Sequence, residues 1–192
     1  MTILSWDEFS GGKGNEVFRD KTAVTIGVFD GVHRGHQVLL QKVIASGYEP
    51  VVVTFKNHPR SVVAHRKAPR LLITVEERLA IFEKRGVSAA ILIDFSQKFS
   101  ILSGRVFLET VWKNASPAYM VIGSTFRCGY RGGFDAAEVA RVNAEAGVRT
   151  EIVEPVREGD LPVSSSRIRE ALAAGDVALA ERMLGRGGVT LC

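Results

Sequence analysis

Residues 24–41 read VTIGVFDGVHRGHQVLLQ, and this stretch decides the fold. A β-branched run stops at glycine, two histidines flank a further glycine, and an apolar pattern of helical spacing takes over. That is a strand turning into a helix, with 23–29 as the strand and 37–47 as the helix. Gly31 and Gly35 suit tight turning and a close approach of backbone to ligand. Backbone amides opening the helix just after His33 can receive phosphate oxygens, helped by the helix dipole. His33 and His36, three apart, share one face near those amides, placed to donate hydrogen bonds to a phosphate whose charge grows during displacement. No triad partner points to a nucleophilic role. A zinc site is not expected, because no cysteine or carboxylate stands at ligand spacing.

Outward from this turn, apolar runs and helical patterns alternate. Strands are expected over 50–55, 89–95, 118–123 and 149–156, and helices over 74–86, 103–114 and 135–147. Thr74 before Glu77 reads as a capping box. The segment 164–185 reads as two helices broken at Gly175-Asp176. Five continuous apolar strands separated by helices predict an α/β fold, a doubly wound parallel sheet covered on both faces. In such sheets ligands bind beyond the carboxyl ends of the strands, where the histidine turn lies. GGKG (11–14) and YRGGF (130–134) read as loose loops.

The totals agree with one globular domain. The chain has 192 residues, 46% of them hydrophobic, and a net charge of +4. That mild excess suits a phosphate-bearing small molecule and forms no block resembling a nucleic-acid-binding tail. Cys128 and Cys192 are the two cysteines, which excludes a disulfide scaffold and fits a reducing, cytoplasmic setting. No run approaches the roughly 18 apolar residues of a membrane helix.

Three further stretches carry chemistry. VSSSRIRE (163–170) sets three hydroxyls before Arg167 and Arg169 at a helix start. Alone it reads equally as a serine cap with solvated arginines or as a phosphate site. VTFKNHPR (53–60) ends a buried strand in Asn57, His58 and Pro59, either a structural turn or part of a site. VIGSTFRCGYRGG (121–133) runs a strand into a glycine-rich loop with Arg127 and Arg131, which can close on a phosphate or simply move. A Walker A pattern is absent, and so is a G-x-G-x-x-G opening the first helix.

Taken in order, TIGVFDGVHRGHQ, VTFKNHPR, RLLITVEERLAIFEKRGV, FRCGYRGG and VSSSRIREALAAGDVALAERMLGR resemble the N-terminal FMN adenylyltransferase module of bacterial bifunctional riboflavin kinase/FAD synthetases, over about residues 22–186. The resemblance implies a Rossmann-like nucleotidyltransferase domain over 1–186, with 187–192 a short tail and no riboflavin kinase domain. It implies transfer of AMP from ATP to FMN, with Mg²⁺ carried mainly by the phosphates. His33, His36 and Arg169 would be catalytic. Gly27, Phe29, Asp30, Gly31, Gly35, Ser164, Ser165 and Arg167 would bind nucleotide, and Asn57, His58 and Arg127 would lie on the flavin side. ATP and FMN would be the small-molecule partners, with neither nucleic acid nor membrane, and the oligomeric state stays open.

This chain departs from the family pattern at Lys56-Asn57, Val63, Thr125 and Cys128, which places two missing aromatics on the expected flavin side. An adenine-nucleotide-binding relative that makes no FAD, or a nucleotidyltransferase with another phosphorylated acceptor, are the competing readings.

Overall fold

The computed structural model describes residues 1–63 and 69–187, without the side chain of Val63. The expected aromatic loss at Val63 and the tail from residue 188 therefore lie outside the described residues. Six strands form one parallel sheet: β1 (Thr2–Ser5), β2 (Thr22–Ile26), β3 (Glu49–Phe55), β4 (Ala89–Ile93), β5 (Pro117–Gly123) and β6 (Arg149–Val153). Their order is β1-β4-β3-β2-β5-β6. The central β2 is rich in β-branched residues and wholly buried, with Val24 level with Val51 on one side and Met120 on the other. The chain runs outward from β2 through β3 to β4, then returns to the opposite side of β2 at β5. The β2–β5 boundary is thus the topological switch point, where α/β sheets open a crevice.

The main helices are α1 (Arg34–Ile44), α2 (Val75–Arg85), α3 (Gly104–Ala115), α4 (Ala136–Glu145), α5 (Ser165–Ala173) and α6 (Val177–Leu184). Alternation along the strands sorts them onto two faces. Val24, Val51, Ile91 and Met120 pack with α3 and α4, through Leu108, Val111, Val139 and Val142. Ala23, Val52, Ala90 and Val121 face the other way, onto Leu40 and Val43 of α1 and Phe82 of α2. Each fully buried Leu or Phe here stabilises the fold by roughly 1.5–3 kcal/mol. A third cluster joins α5 and α6 around Ile168, Met183 and Leu184, with Leu72 inserted from the loop before α2.

The doubly wound class and the five expected strands are present, within a few residues at their ends. The chain leaves β2 after Ile26, because Phe29 turns left-handed at φ 53° instead of extending the strand. The capping box at Thr74 forms, with the Glu77 amide donating to Thr74 Oγ1 and the Thr74 amide to Glu77 Oε2.

Three expectations change. The sixth strand, β1, is four residues of an exposed edge with only Leu4 buried, too short to register as a periodic pattern. GGKG does not form a loose loop: it lies in helical turns over 9–17, and Gly14 is buried where a Cβ would meet the Asn114 carbonyl at 2.4 Å. YRGGF is also anchored, in a small hairpin pairing Arg127–Cys128 with Phe134–Asp135. A Cβ on Gly129 would lie 2.3 Å from the Gly104 amide, and one on Gly104 would lie 2.4 Å from the Phe134 ring. The hairpin is therefore seated on the first turn of α3.

Candidate active site

The turn after β2 is built to hold an awkward backbone. Gly27 still donates to Val53 O at 3.1 Å, and then Phe29, Gly31 and Val32 all take positive φ. Gly31 is required on two counts: φ is +79°, and a Cβ would lie 2.8 Å from Leu72 Cδ1. Phe29 and Val32 accept a conformation rare for L-residues because both are fully buried. The Phe29 ring meets Phe82 edge-on at 5.4 Å and His36 at 5.0 Å.

This turn delivers His33 as the N-cap of α1. His33 Nδ1 accepts the His36 amide at 3.4 Å, which leaves the ring proton on Nε2. Gly35 leaves room for this fold-back, since a Cβ there would meet the His33 ring at 3.3 Å. The two imidazoles stack, with centroids 3.6 Å apart and planes 16° apart. Burial drives His33 down to about 4, aided by the positive charge of Arg186. Burial also holds His36 well below its ordinary range, reinforced by His33 and Arg78. With both pKa values lowered, the rings are neutral at pH 7 and each carries one ring N–H without a standing charge.

Asp30 joins this turn to the serine-arginine motif. It is 2% exposed, and its Oδ1 accepts the Leu72 amide at 2.9 Å. Its Oδ2 forms an ion pair with Arg169, whose Nε also donates to Arg70 O at 2.6 Å. Ser165 Oγ donates to Asp30 O at 2.8 Å. Ser164 caps α5 by accepting the Arg167 amide. Residues 27–36 and 164–169, more than a hundred positions apart, thus form one unit at the switch point. His58 is drawn in as well: burial lowers its pKa first, followed by the charge of Arg169.

Other expected site residues are occupied with structural bonds. Arg167 turns its guanidinium onto Leu161 O and Pro162 O, each at 2.9 Å, holding the neighbouring hairpin. Asn57 donates to Phe95 O and accepts the Phe95 amide, both at 2.8 Å, clipping the end of β3 to the loop after β4. Arg127 is exposed and donates to Gly132 O inside its own hairpin. Cys128 packs against the α3/α4 core, where burial pushes its thiol up to about 12. Its missing aromatic is therefore a change in packing.

Sequence reasoning missed Arg78. This residue of α2 is 3% exposed, and its guanidinium donates to Val28 O at 2.5 Å and to Phe55 O, at the ends of β2 and β3. Its Nε and His36 Nδ1 are both buried without a hydrogen-bond partner among the described residues. The available signal was a charge on the apolar face of α2, one turn from Phe82. Among the described residues no group of three His, Cys, Asp or Glu side chains could hold a metal ion. No described helix is long and apolar enough to cross a membrane. A cavity of about 490 Å³ opens at the ends of β1, β3 and β4, lined by Trp6, Lys56, Asp94 and Phe99 among others.

A parallel sheet of this order, with helix-opening amides at its switch point, is a Rossmann-like α/β fold, a class that binds ligands in that crevice. At the level of fold alone, the chain superposes on a pantothenate synthetase from Thermus thermophilus with TM-score 0.63 and 16% identity, over 96% of this chain and 81% of that one. A Streptococcus pneumoniae structure described as a macrolide-efflux protein gives 0.81 and 24%, over 97% of this chain and 60% of that one. The FAD synthetase family model matches residues 16–167, and the chain belongs to that family. The bifunctional riboflavin kinase/FMN adenylyltransferase of Escherichia coli K12 is 33% identical over 167 residues, covering 84% of this chain and 53% of the relative. The Bacillus subtilis protein of the same description is 34% identical over 172 residues, covering 86% and 54%. The chain spans about half the length of these curated relatives.

Proposed function

We propose that this chain transfers AMP from ATP, taken as its Mg²⁺ complex, to FMN, giving FAD and pyrophosphate. The observation that carries this reading is the Asp30 junction, which joins the histidine turn to the Ser165/Arg169 helix at the switch point. In the proposed step an FMN phosphate oxygen attacks the α-phosphorus of ATP. The new P–O bond forms as the bond to the bridging oxygen of pyrophosphate breaks, in line. Charge building on the α-phosphate oxygens meets the Nε2–H groups of His33 and His36, already stacked in place. Neutral donors strengthen as the oxygens become more negative, which favours the transition state over bound ATP. Arg169, held by Asp30 with its side chain 17% exposed, presents its remaining donor edge to the departing pyrophosphate. The cavity beside Lys56, with Trp6 and Phe99 in its wall, is the concave space proposed for the flavin ring.

A second reading, a different phosphorylated acceptor, is favoured by the acceptor side alone, where Asn57 and Arg127 are occupied with backbone bonds. The test is to incubate pure protein with ATP, Mg²⁺ and FMN and to quantify FAD and pyrophosphate. ATP binding with no FAD formed defeats the FMN reading, and pyrophosphate released only with another phosphorylated acceptor establishes the second.

A further inference from the structure

The carbonyls of the strained turn at Gly31 and Val32 are not left to solvent. Arg186, just beyond α6, donates to Gly31 O at 2.7 Å and to Val32 O at 3.3 Å. Gln37 of α1 donates to Val32 O at 3.0 Å and to Leu184 O at 2.7 Å, tying the end of α6 to the same turn. The Leu184 side chain packs on Gly31, and Gly185 is pressed against Arg34, 3.1 Å from where its Cβ would stand. The segment Leu184-Gly185-Arg186 is thus docked on the turn that delivers His33, and it lies beyond the residues the family model matches.

We propose that Arg186 is a positioning residue for the transfer reaction, its two-pronged bond to the Gly31 and Val32 carbonyls holding the left-handed turn that aims His33. A positive-φ valine costs free energy and persists only where its surroundings over-determine it. Arg186 and Gln37 supply that determination from outside the turn, and His33 is the next residue in the chain. The guanidinium also stands close enough to His33 to disfavour its protonation. Among the described residues the ring also stacks on His36, and the Asp30 carboxylate of the same turn is paired with Arg169. Arg186 therefore fixes the place of His33 and helps keep it neutral, without touching substrate.

The inference rests on the proposed transfer, so the experiment has two arms. Arg186→Met and Arg186→Lys are compared with the unaltered protein for steady-state FAD formation and, separately, for the His33 titration followed by NMR. With Met, kcat is expected to fall on the order of tenfold or more while KM for ATP changes little. Lysine, which keeps the charge but lacks the fork, restores part of the loss. In the NMR arm the His33 midpoint rises from about 4 in the Met variant, while the His58 midpoint stays in place. Unchanged kcat in a background where the unaltered protein is active, or an unmoved His33 midpoint, overturns the proposal. If the unaltered protein forms no FAD, the transfer reading fails and the NMR arm alone decides this one. Should the Met variant not fold, Arg186→Gln replaces it in both arms, its kcat loss and raised His33 midpoint being the supporting result.

Discussion

At the turn after β2, Asp30 is bound by the Leu72 amide and by Ser165 and Arg169 of α5, so two separate segments meet on one buried residue. After β5, the Arg127–Asp135 hairpin bonds mostly to itself and leans on α3 through Phe134 and Gly129. Both regions begin at the carboxyl end of a central strand. The first is over-determined and holds a costly backbone in place, whereas the second is seated by packing and by Asp135, which caps α4 by accepting the Glu138 amide at 3.0 Å. Interlocking of this kind can position groups to a fraction of an ångström, and a hairpin with few bonds beyond itself would suit the accommodation of the proposed second substrate.

The largest effect is expected where the first region meets the chemistry. His36→Ala should lower the single-turnover rate on the order of 10²–10³-fold, with ATP affinity nearly unchanged. Equal losses in rate and in affinity would mean that His36 only binds, and would remove the contrast in function between the two regions.

Next in size is Asp30→Asn, which leaves the Arg169 guanidinium without its carboxylate. Breaking a buried pair in this way costs about 3 kcal/mol, read by urea unfolding and checked with an Asp30→Asn/Arg169→Met double-mutant cycle. A similar loss accumulates on acidification. His33 titrates near 6.5 in the unfolded chain and at about 4 when folded, so the unfolded state takes up the proton first. Stability is therefore full above pH ~6.5 and declines as pH falls from ~6.5 towards ~4. His33→Gln should flatten that part of the pH–stability curve, and an unaltered slope would assign it to other groups.

Cys128→Phe probes the second region. The resemblance alone places this residue against flavin, and a restored aromatic would then tighten FMN. The structure turns Cys128 into the α3/α4 core, so a phenylalanine there overpacks and should destabilise by about 1–3 kcal/mol with no gain for FMN. A lower KM for FMN at unchanged stability would show that the side chain faces the ligand after all.

The same residues show why sequence reads one region better than the other. The β2 turn is legible because strand, turn and helix are contiguous, and because glycines and histidines at fixed offsets report backbone and chemistry together. Its ties to Ser165 and Arg169 were suggested by motif order, whereas the role of Asp30 as their common partner needed three-dimensional contacts. Arg78 and Arg186 went unread because each works through guanidinium bonds to backbone carbonyls, and a carbonyl leaves no trace in residue identity. Asn57 and Arg167 were legible as polar residues at strand and helix ends, but their bonds to local backbone needed three-dimensional contacts to be seen. The edge strand β1 was missed for a plainer reason: four residues with one buried side chain make no period.

Phe99→Leu gives the smallest expected effect and sets a third place, the cavity proposed for the flavin ring, against the β2 turn. Phe99 stands in the cavity wall and meets Trp6 edge-on at 5.4 Å and Phe95 at 5.5 Å, so leucine keeps most of its packing while removing an aromatic face. An aromatic contact of this kind is worth about 0.5–1.5 kcal/mol, which converts to a rise of roughly two- to tenfold in KM for FMN. KM for ATP and the His33 titration should not move, because the bonds of Asp30, Arg169 and Arg186 among the described residues run to the β2 turn and its neighbours and not to this wall. If the ATP constants shift in step with those for FMN, the cavity and the histidine turn act as one site, and the separation between an interlocked nucleotide side and an adaptable acceptor side falls.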